Sequence, residues 1–145
     1  MTTPDSAASD QKALHRLSRE ECIEALRANR IGRVATTVGP DRRPFVRPVS
    51  YLYDPPSNSI AFQSMSGTKL HALIERRDAS FEIDGESDGS MWSVIVRGRV
   101  EIEEREREIS RFELGVTPAL SDARDGCWVR VRAEVISGVR FPTHR

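Results

Sequence analysis

The run Ser64-Met65-Ser66-Gly67-Thr68-Lys69 gathers hydroxyls, a glycine and an ammonium between a strand-like stretch and the start of a helix-like one. Lys69 is one of only two lysines in a chain whose lysines and arginines number 22. Strand, hydroxyl-rich turn and helix start form a geometry in which backbone N–H groups and the positive end of the helix dipole face an anion. Lysine meets such an anion as a flexible point charge, whereas arginine prefers planar bidentate pairing. The implied chemistry is the seating of a phosphate. The run is not a Walker A loop, because the first glycine of that motif is missing and Leu70 follows the lysine. A dianionic phosphate needs a second cation, and Arg47 is the candidate. Strand alternation puts Arg47 on the side of Phe45, Val49 and Tyr51, where a charge interrupts an apolar face and requires a partner. The plainer alternatives are an exposed lysine in a first helical turn and an arginine paired with a nearby carboxylate.

The elements that must position these residues are legible from spacing. Met1 to Gln11 has no periodic apolar residue and reads as a disordered tail, with the folded domain over residues 17–145 and the tail over 1–16. Ser18-Arg19-Glu20-Glu21 is a capping box, with Leu17 and Cys22 placed to form a hydrophobic staple, and it opens a short helix of about three turns. From Arg33 the period changes to two. Arg33 to Val38 and Phe45 to Tyr53 form a hairpin across Gly39-Pro40-Asp41. Pro44 and Pro48 cannot donate ladder hydrogen bonds, so the second strand must lie at an edge, carry a bulge, or turn its free side toward a ligand. Further strands are expected at Ile60 to Ser64, Ala79 to Asp84, Met91 to Glu103 and Trp128 to Val135. Gly85 to Gly89 reads as polar loop, Gly115 to Gly126 as loop or lid. Helices are expected at Thr68 to Arg76 and at Glu104 to Leu114, the latter with Ile109 and Phe112 inward. In the last strand Val129, Val131, Ala133 and Val135 are expected inside, Arg130, Arg132 and Glu134 outside. Six strands with few helices and short connections predict a mainly β fold, a six-stranded antiparallel barrel with peripheral helices.

Composition narrows the function classes. A chain of 145 residues suits one domain. The formal net charge is zero, so no global field recruits nucleic acid or anionic lipid. Cys22 and Cys127 form no C-x-x-C motif and read as small core residues, which suits a reducing compartment. No signal-peptide layout and no membrane-length apolar run is present, so a cytoplasmic protein with no membrane and no nucleic-acid partner is expected. Arg97, Arg99, Arg130 and Arg132 alternate with Glu101, Glu103 and Glu134 and read as a solvated or dimer-facing ionic surface. His71 reads as a surface helical histidine. No metal-ligand spacing or hydrolytic triad stands out.

The order of elements, with Arg47-Pro48-Val49-Ser50, Phe62-Gln63-Ser64 followed by Gly67-Thr68-Lys69, and Trp92-Ser93-Val94-Ile95-Val96-Arg97-Gly98, resembles the pyridoxamine 5′-phosphate oxidase-like family of FMN-binding split barrels. The resemblance runs from about Leu17 to Phe141. It implies a split-barrel homodimer with cofactor sites at the interface. By that resemblance Arg47 and Lys69 hold the cofactor phosphate, with Ser64 and Thr68 adding hydroxyl bonds and Gln63 beside them. Pro48, Val49 and Ser50 lie against the isoalloxazine ring, and Trp92 and Ser93 line the ring or ribityl chain.

One departure bears on the reaction. Leu52 stands where members that oxidise pyridoxamine phosphate resemble Arg-x-Val-x-x-Lys, and Val139 to His144 does not reproduce their C-terminal Arg-x-His spacing. Oxidation of that substrate is therefore not expected. The family also includes users of the deazaflavin F420, haem binders and small flavin reductases. Heavy arginine use suits a high-GC coding bias, compatible with an actinobacterial F420 user. The resulting expectation is an FMN- or F420-dependent oxidoreductase of a small substrate. In it the cofactor does the chemistry, and Ser50 and Tyr51 are available as hydrogen-bond donors. The alternative is a non-catalytic flavin- or haem-binding sensor or storage protein, and a barrel that has lost its cofactor stands behind both. Replacing Lys69 by Ala is expected to weaken FMN affinity by about 1.5–3 kcal/mol, the range for a charge-assisted hydrogen bond. Fluorescence titration checks this, and equal affinity in mutant and parent removes Lys69 from the site.

Overall fold

Antiparallel pairing dominates the computed structural model, which describes residues 14–65, 78–115 and 126–143. Its elements are β1 (His15–Arg16), α1 (Arg19–Ala28), β2 (Ile31–Val38), β3 (Arg43–Asp54), β4 (Ser59–Met65), β5 (Asp78–Ser87), β6 (Ser90–Glu103), α2 (Glu106–Gly115) and β7 (Gly126–Pro142). The sheet order is β1-β7-β4-β3-β2-β5-β6, and β6 pairs back onto β7. The six long strands thereby close into a ring, and β1 adds to it by pairing His15 and Arg16 with Arg140 and Val139. That short strand falls within the segment read as tail. The helix expected at Thr68 to Arg76 and His71 lie outside the described residues.

Alternation fills the ring. Val34, Phe62, Phe81, Ile83, Val94, Val96, Val129 and Val131 point inward and are buried. The capping box at the start of α1 forms as spaced: the Ser18 N–H donates to Glu21 Oε1 at 2.9 Å, and the Glu21 N–H donates to Ser18 Oγ at 3.1 Å. It sets the helix so that Cys22 and Leu26 join the barrel core, with Leu17 packed against it. Tyr51 completes the junction. Its ring is buried edge-on to Phe81, and its hydroxyl donates to the Leu26 carbonyl at 2.7 Å. Burial pushes the Tyr51 phenol well above its usual range. Tyr51 is thus a core residue tying α1 to the barrel, which corrects its reading as a donor to a substrate.

Two boundaries and one buried side chain differ from expectation for local reasons. The polar stretch Gly85 to Gly89 is not a loop, since β5 runs to Ser87 and β6 starts at Ser90. Asp88 and Gly89, with φ of 51° and 72°, make the two-residue turn that matches strand twist. The last strand runs on to Pro142 because a bulge hides its continuation. Arg97 faces Val135 and Gly98 faces Ala133, so Glu134 is the extra residue and the inward parity switches there. Ala133 and Ile136 pack on the core, while Val135, expected inside, is 47% exposed. Arg130 corrects the expectation in the other direction: it lies on the outer side of β7, but α2 covers it and leaves 1% exposed.

Gly98 makes the bulge possible. A Cβ at that position would lie 1.6 Å from the Arg132 carbonyl oxygen, and backbone cannot retreat as a flexible side chain can. At Gly89 nothing lies within 4 Å of such a Cβ, and only the positive φ opposes a side chain. Gly98→Ala is expected to destabilise the fold by about 3 kcal/mol or more, the upper range for overpacking. Gly89→Ala should cost only about 1–2 kcal/mol, the price of a left-handed residue. Urea unfolding of the two variants checks the order.

Candidate functional site

The ring is closed unevenly, and the candidate residues gather where pairing fails. The β3–β4 ladder holds four pairs, from Asp54↔Ser59 to Tyr51↔Phe62, and stops. Beyond it Arg43 to Ser50 pair with β2 on one edge only, and Gln63 to Met65 pair with β7. A split opens between them. One rim carries Arg47, Pro48, Val49 and Ser50, the other Gln63 and Ser64. Among the described residues no strand pairs with the β3 rim. The Tyr51 N–H donates toward β2, to the Arg30 carbonyl at 2.9 Å. Pro44 and Pro48, an odd number of residues away, therefore turn their nitrogens to the split, where a missing N–H leaves no ladder bond unmade.

The pleat sorts the rim residues into two sets. Arg47 and Val49 share the side of Tyr51, and Ser64 that of Phe62, facing the barrel interior. Pro48, Ser50 and Gln63 face outward. Arg47 is exposed, its guanidinium carbon is 6.0 Å from the Phe45 ring centre, and it makes no ion pair with a described carboxylate. Val49, Ser50, Gln63 and Ser64 are half-buried. Thr68 and Lys69 lie outside the described residues.

Trp92 and Ser93 lie elsewhere in the protomer. Trp92 pairs with Arg140 of β7, whereas Ser64 pairs with Cys127. Arg140 lies 13 residues beyond Cys127, roughly 40 Å of strand. Trp92 packs on the core beside Gly85, where a Cβ would meet the indole at 2.7 Å. Ser93 is on the outer face, as are Pro48 and Ser50, but β2 and β5 lie between, about 14 Å in three strand spacings. One protomer thus sets the two groups apart on its surface.

Between them sits a cluster that sequence reasoning missed. Arg33 Nη1 lies 3.1 Å from Glu82 Oε1 and 3.1 Å from Asp84 Oδ2. Burial, and the Asp84 carboxyl beside it, raise the Glu82 carboxyl above its usual range. Alternation places these residues outside; only the register Pro48↔Arg33↔Glu82 and Asp84↔Ser93 sets them between candidate residues.

A second ionic network fastens α2 over the opposite outer surface. Leu52, Ala61 and Trp128 pack there with Phe112 and Ile109. Leu52 is thus occupied as packing, at the position where the resemblance places a substrate-binding lysine in other members. Arg130 Nη2 donates to Glu103 Oε2 at 2.7 Å and to Glu108 Oε2 at 3.3 Å, with its guanidinium carbon 5.0 Å from the Phe112 ring centre. Arg111 bridges Glu108 and the buried Asp54, which also accepts from Ser57. Arg105 holds Glu103 through Nε at 2.8 Å. That bond, with the Arg105 N–H and Arg130, lowers the Glu103 carboxyl to about 2. Burial raises Asp54, but the Arg111 and Ser57 bonds outweigh it and leave the carboxyl below its usual range.

Known proteins share this fold. The family model described as pyridoxamine 5′-phosphate oxidase matches residues 18–140, and the chain belongs to that family, as one of its split barrels. An FAD-binding protein from Mycobacterium smegmatis is 29% identical, with a TM-score of 0.73 over 88% of this chain and 98% of that one. A candidate pyridoxamine 5′-phosphate oxidase from Corynebacterium glutamicum is 27% identical, with a TM-score of 0.74 over 90% and 99%. An FAD-binding protein from Mesorhizobium loti is 26% identical, with a TM-score of 0.73 over 88% and 97%. No curated protein matches the chain. No helix among the described residues is long and apolar enough to cross a membrane.

Replacing Glu103 by Gln leaves Arg130 buried without its nearest carboxylate and is expected to destabilise the fold by about 3 kcal/mol. A carboxyl depressed in the folded state stabilises above its unfolded pKa and loses that contribution as pH falls through the folded one. The parent should therefore lose stability from about pH 4.3 down to about 2. The variant should lose less over that window. Denaturant midpoints measured across it check the difference.

Proposed function

We propose that this chain is a flavin- or deazaflavin-dependent oxidoreductase of a small substrate, with the cofactor held in a groove shared by two copies. The observation that carries the reading is the early end of the β3–β4 ladder, which among the described residues leaves one edge of β3 open beside Arg47, whose guanidinium makes no ion pair with a described carboxylate. The residues there fit a flavin nucleotide. An open strand edge offers backbone carbonyls and N–H groups to a flat heteroaromatic ring, Pro48 to Ser50 offer a narrow wall, and Arg47 offers a cation to a phosphate. FAD binding by the mycobacterial and Mesorhizobium relatives supports a flavin.

In this reading Arg47 and Lys69 grip the phosphate, Ser64 and Thr68 add hydroxyl hydrogen bonds, and Gln63 borders the ring from the facing rim. Trp92 and Ser93 come from the second copy, because one protomer cannot bring them to the split. The cofactor, when bound, supplies the hydride or electron transfer, and the protein supplies orientation and electrostatics. Leu52 removes the charge that a pyridoxamine phosphate substrate would meet, so the substrate is a different one.

The test is the absorbance spectrum and melting temperature of the purified chain with FMN, FAD, F420 or haem added. A ligand selective for the native state raises its stability, and one of the first three is expected to do so. No rise with any of them overturns the reading, a rise with haem alone points to a haem protein, and binding without turnover of any electron donor points to a sensor. Arg47→Ala should weaken affinity for the active nucleotide by about 1.5–3 kcal/mol. Its free form should melt with the parent, since Arg47 is exposed.

A further inference from the structure

We infer that a second copy of this chain sits on the outer face of β2, β5 and β6, and that Arg97 of each copy pairs there with Glu82 and Asp84 of the other. The inference rests on the shared groove proposed above and specifies what holds it together. Register defines the face. One row reads Pro48, Arg33, Glu82, Ile95 and Ser137 across β3, β2, β5, β6 and β7, and the next reads Val46, Ala35, Ser80, Arg97 and Val135.

The face is unusual for a sheet surface in water. Ile31 and Val46 are 63% and 62% exposed, and Ile95 and Val135 are exposed beside them. Its floor is lined by Ala35, Ser80, Gly98 and Ser137, so it forms an open groove into which side chains can seat. No described helix covers it, whereas α2 covers the opposite surface.

Its charges are divided in a way that one protomer leaves unresolved. Arg33 alone faces two carboxylates, Glu82 and Asp84, so that cluster carries one excess negative charge. Arg97 is exposed, lies one strand away and makes no ion pair with a described carboxylate. Glu86 follows the cluster along β5, and Arg42, Asp78 and Glu134 line the groove around Arg97 without pairing with it. An isologous interface brings patch i onto patch j and patch j onto patch i. A two-fold axis passing beside Ile95 lays Arg97 of each copy on the Glu82–Asp84 pair of its mate. It buries the apolar residues between the two ionic contacts. Charged groups taken from water without a partner oppose association, and paired ones direct it.

The sign of the pH dependence separates this arrangement from plain apolar contact. In the protomer, burial and Asp84 hold Glu82 above its usual range. A guanidinium arriving from the second copy favours the carboxylate, so the associated state binds fewer protons and association weakens on acidification. Without that guanidinium, burying the excess negative charge would favour proton uptake, and acid would tighten the dimer.

Sedimentation equilibrium of the full chain at low ionic strength tests this. The parent is expected to be a dimer whose Kd rises about tenfold or more between about pH 7.5 and about pH 5. Arg97→Glu should dimerise at least about tenfold more weakly at the higher pH, and Glu82→Gln should flatten the pH profile. Circular dichroism confirms that both variants fold. A parent dimer that tightens in acid, or an Arg97→Glu dimer as tight as the parent, overturns the ionic pairing and leaves the shared groove standing. A monomer under every condition overturns both, whereas nucleotide binding is read separately from the spectrum.

Discussion

Closure of the barrel through β6 and β7 is the constraint on which the rest of the molecule depends. These two strands pair along nearly their whole length, from Ser90↔Pro142 to Glu103↔Trp128. So long a ladder bends around the core only because the bulge at Glu134 relieves it, and Gly98 is the residue that lets the two backbones approach there. With the ring secured on that side, the opposite side has no need of continuous pairing. β3 and β4 are joined for four pairs and then diverge. The open rim is thus a consequence of where the closing contacts are concentrated.

The two outer surfaces of the barrel are finished differently. Under α2 the strands carry Leu52, Ala61, Trp128 and a buried arginine, and a helix with its own carboxylates covers them. Across β2, β5 and β6 the exposed apolar residues and the Arg33 cluster have no such cover among the described residues. The strand alternation is equally regular on both. What differs is whether the chain itself supplies a lid, and that divides the molecule into a side that is complete and a side that remains available.

Much of this was legible in the sequence. The capping box of α1, the inward valines of β6 and β7 and the prolines of β3 each act over a few residues, and local pattern predicts local structure. What local pattern could not supply was register. Arg130 and Arg97 look alike along the chain, both in outward positions beside glutamates, yet a helix distant in sequence buries one and leaves the other exposed. The bulge has a similar effect, since one extra residue inverts the alternation after Ala133, and the strand expected to end at Val135 runs on to Pro142. The motifs group Arg47 to Ser50 with Gln63 and Ser64, and the fold places the two segments on the two rims where the β3–β4 ladder ends. Trp92 and Ser93 were grouped with them by motif, and the topology sets them far along another strand. Asp84 and Glu82 carry no motif at all and become notable only beside Arg33.

The two prolines of β3 have a consequence beyond the site they border. A bare strand edge invites extended segments of other chains to dock and propagate a sheet from molecule to molecule. Pro44 and Pro48 remove two donors from that edge, and their rings stand in the way of an incoming backbone. A flat heterocycle needs no regular ladder and can still lie there. The same pair of residues thus opposes polymerisation along the seam without barring a small planar guest from it.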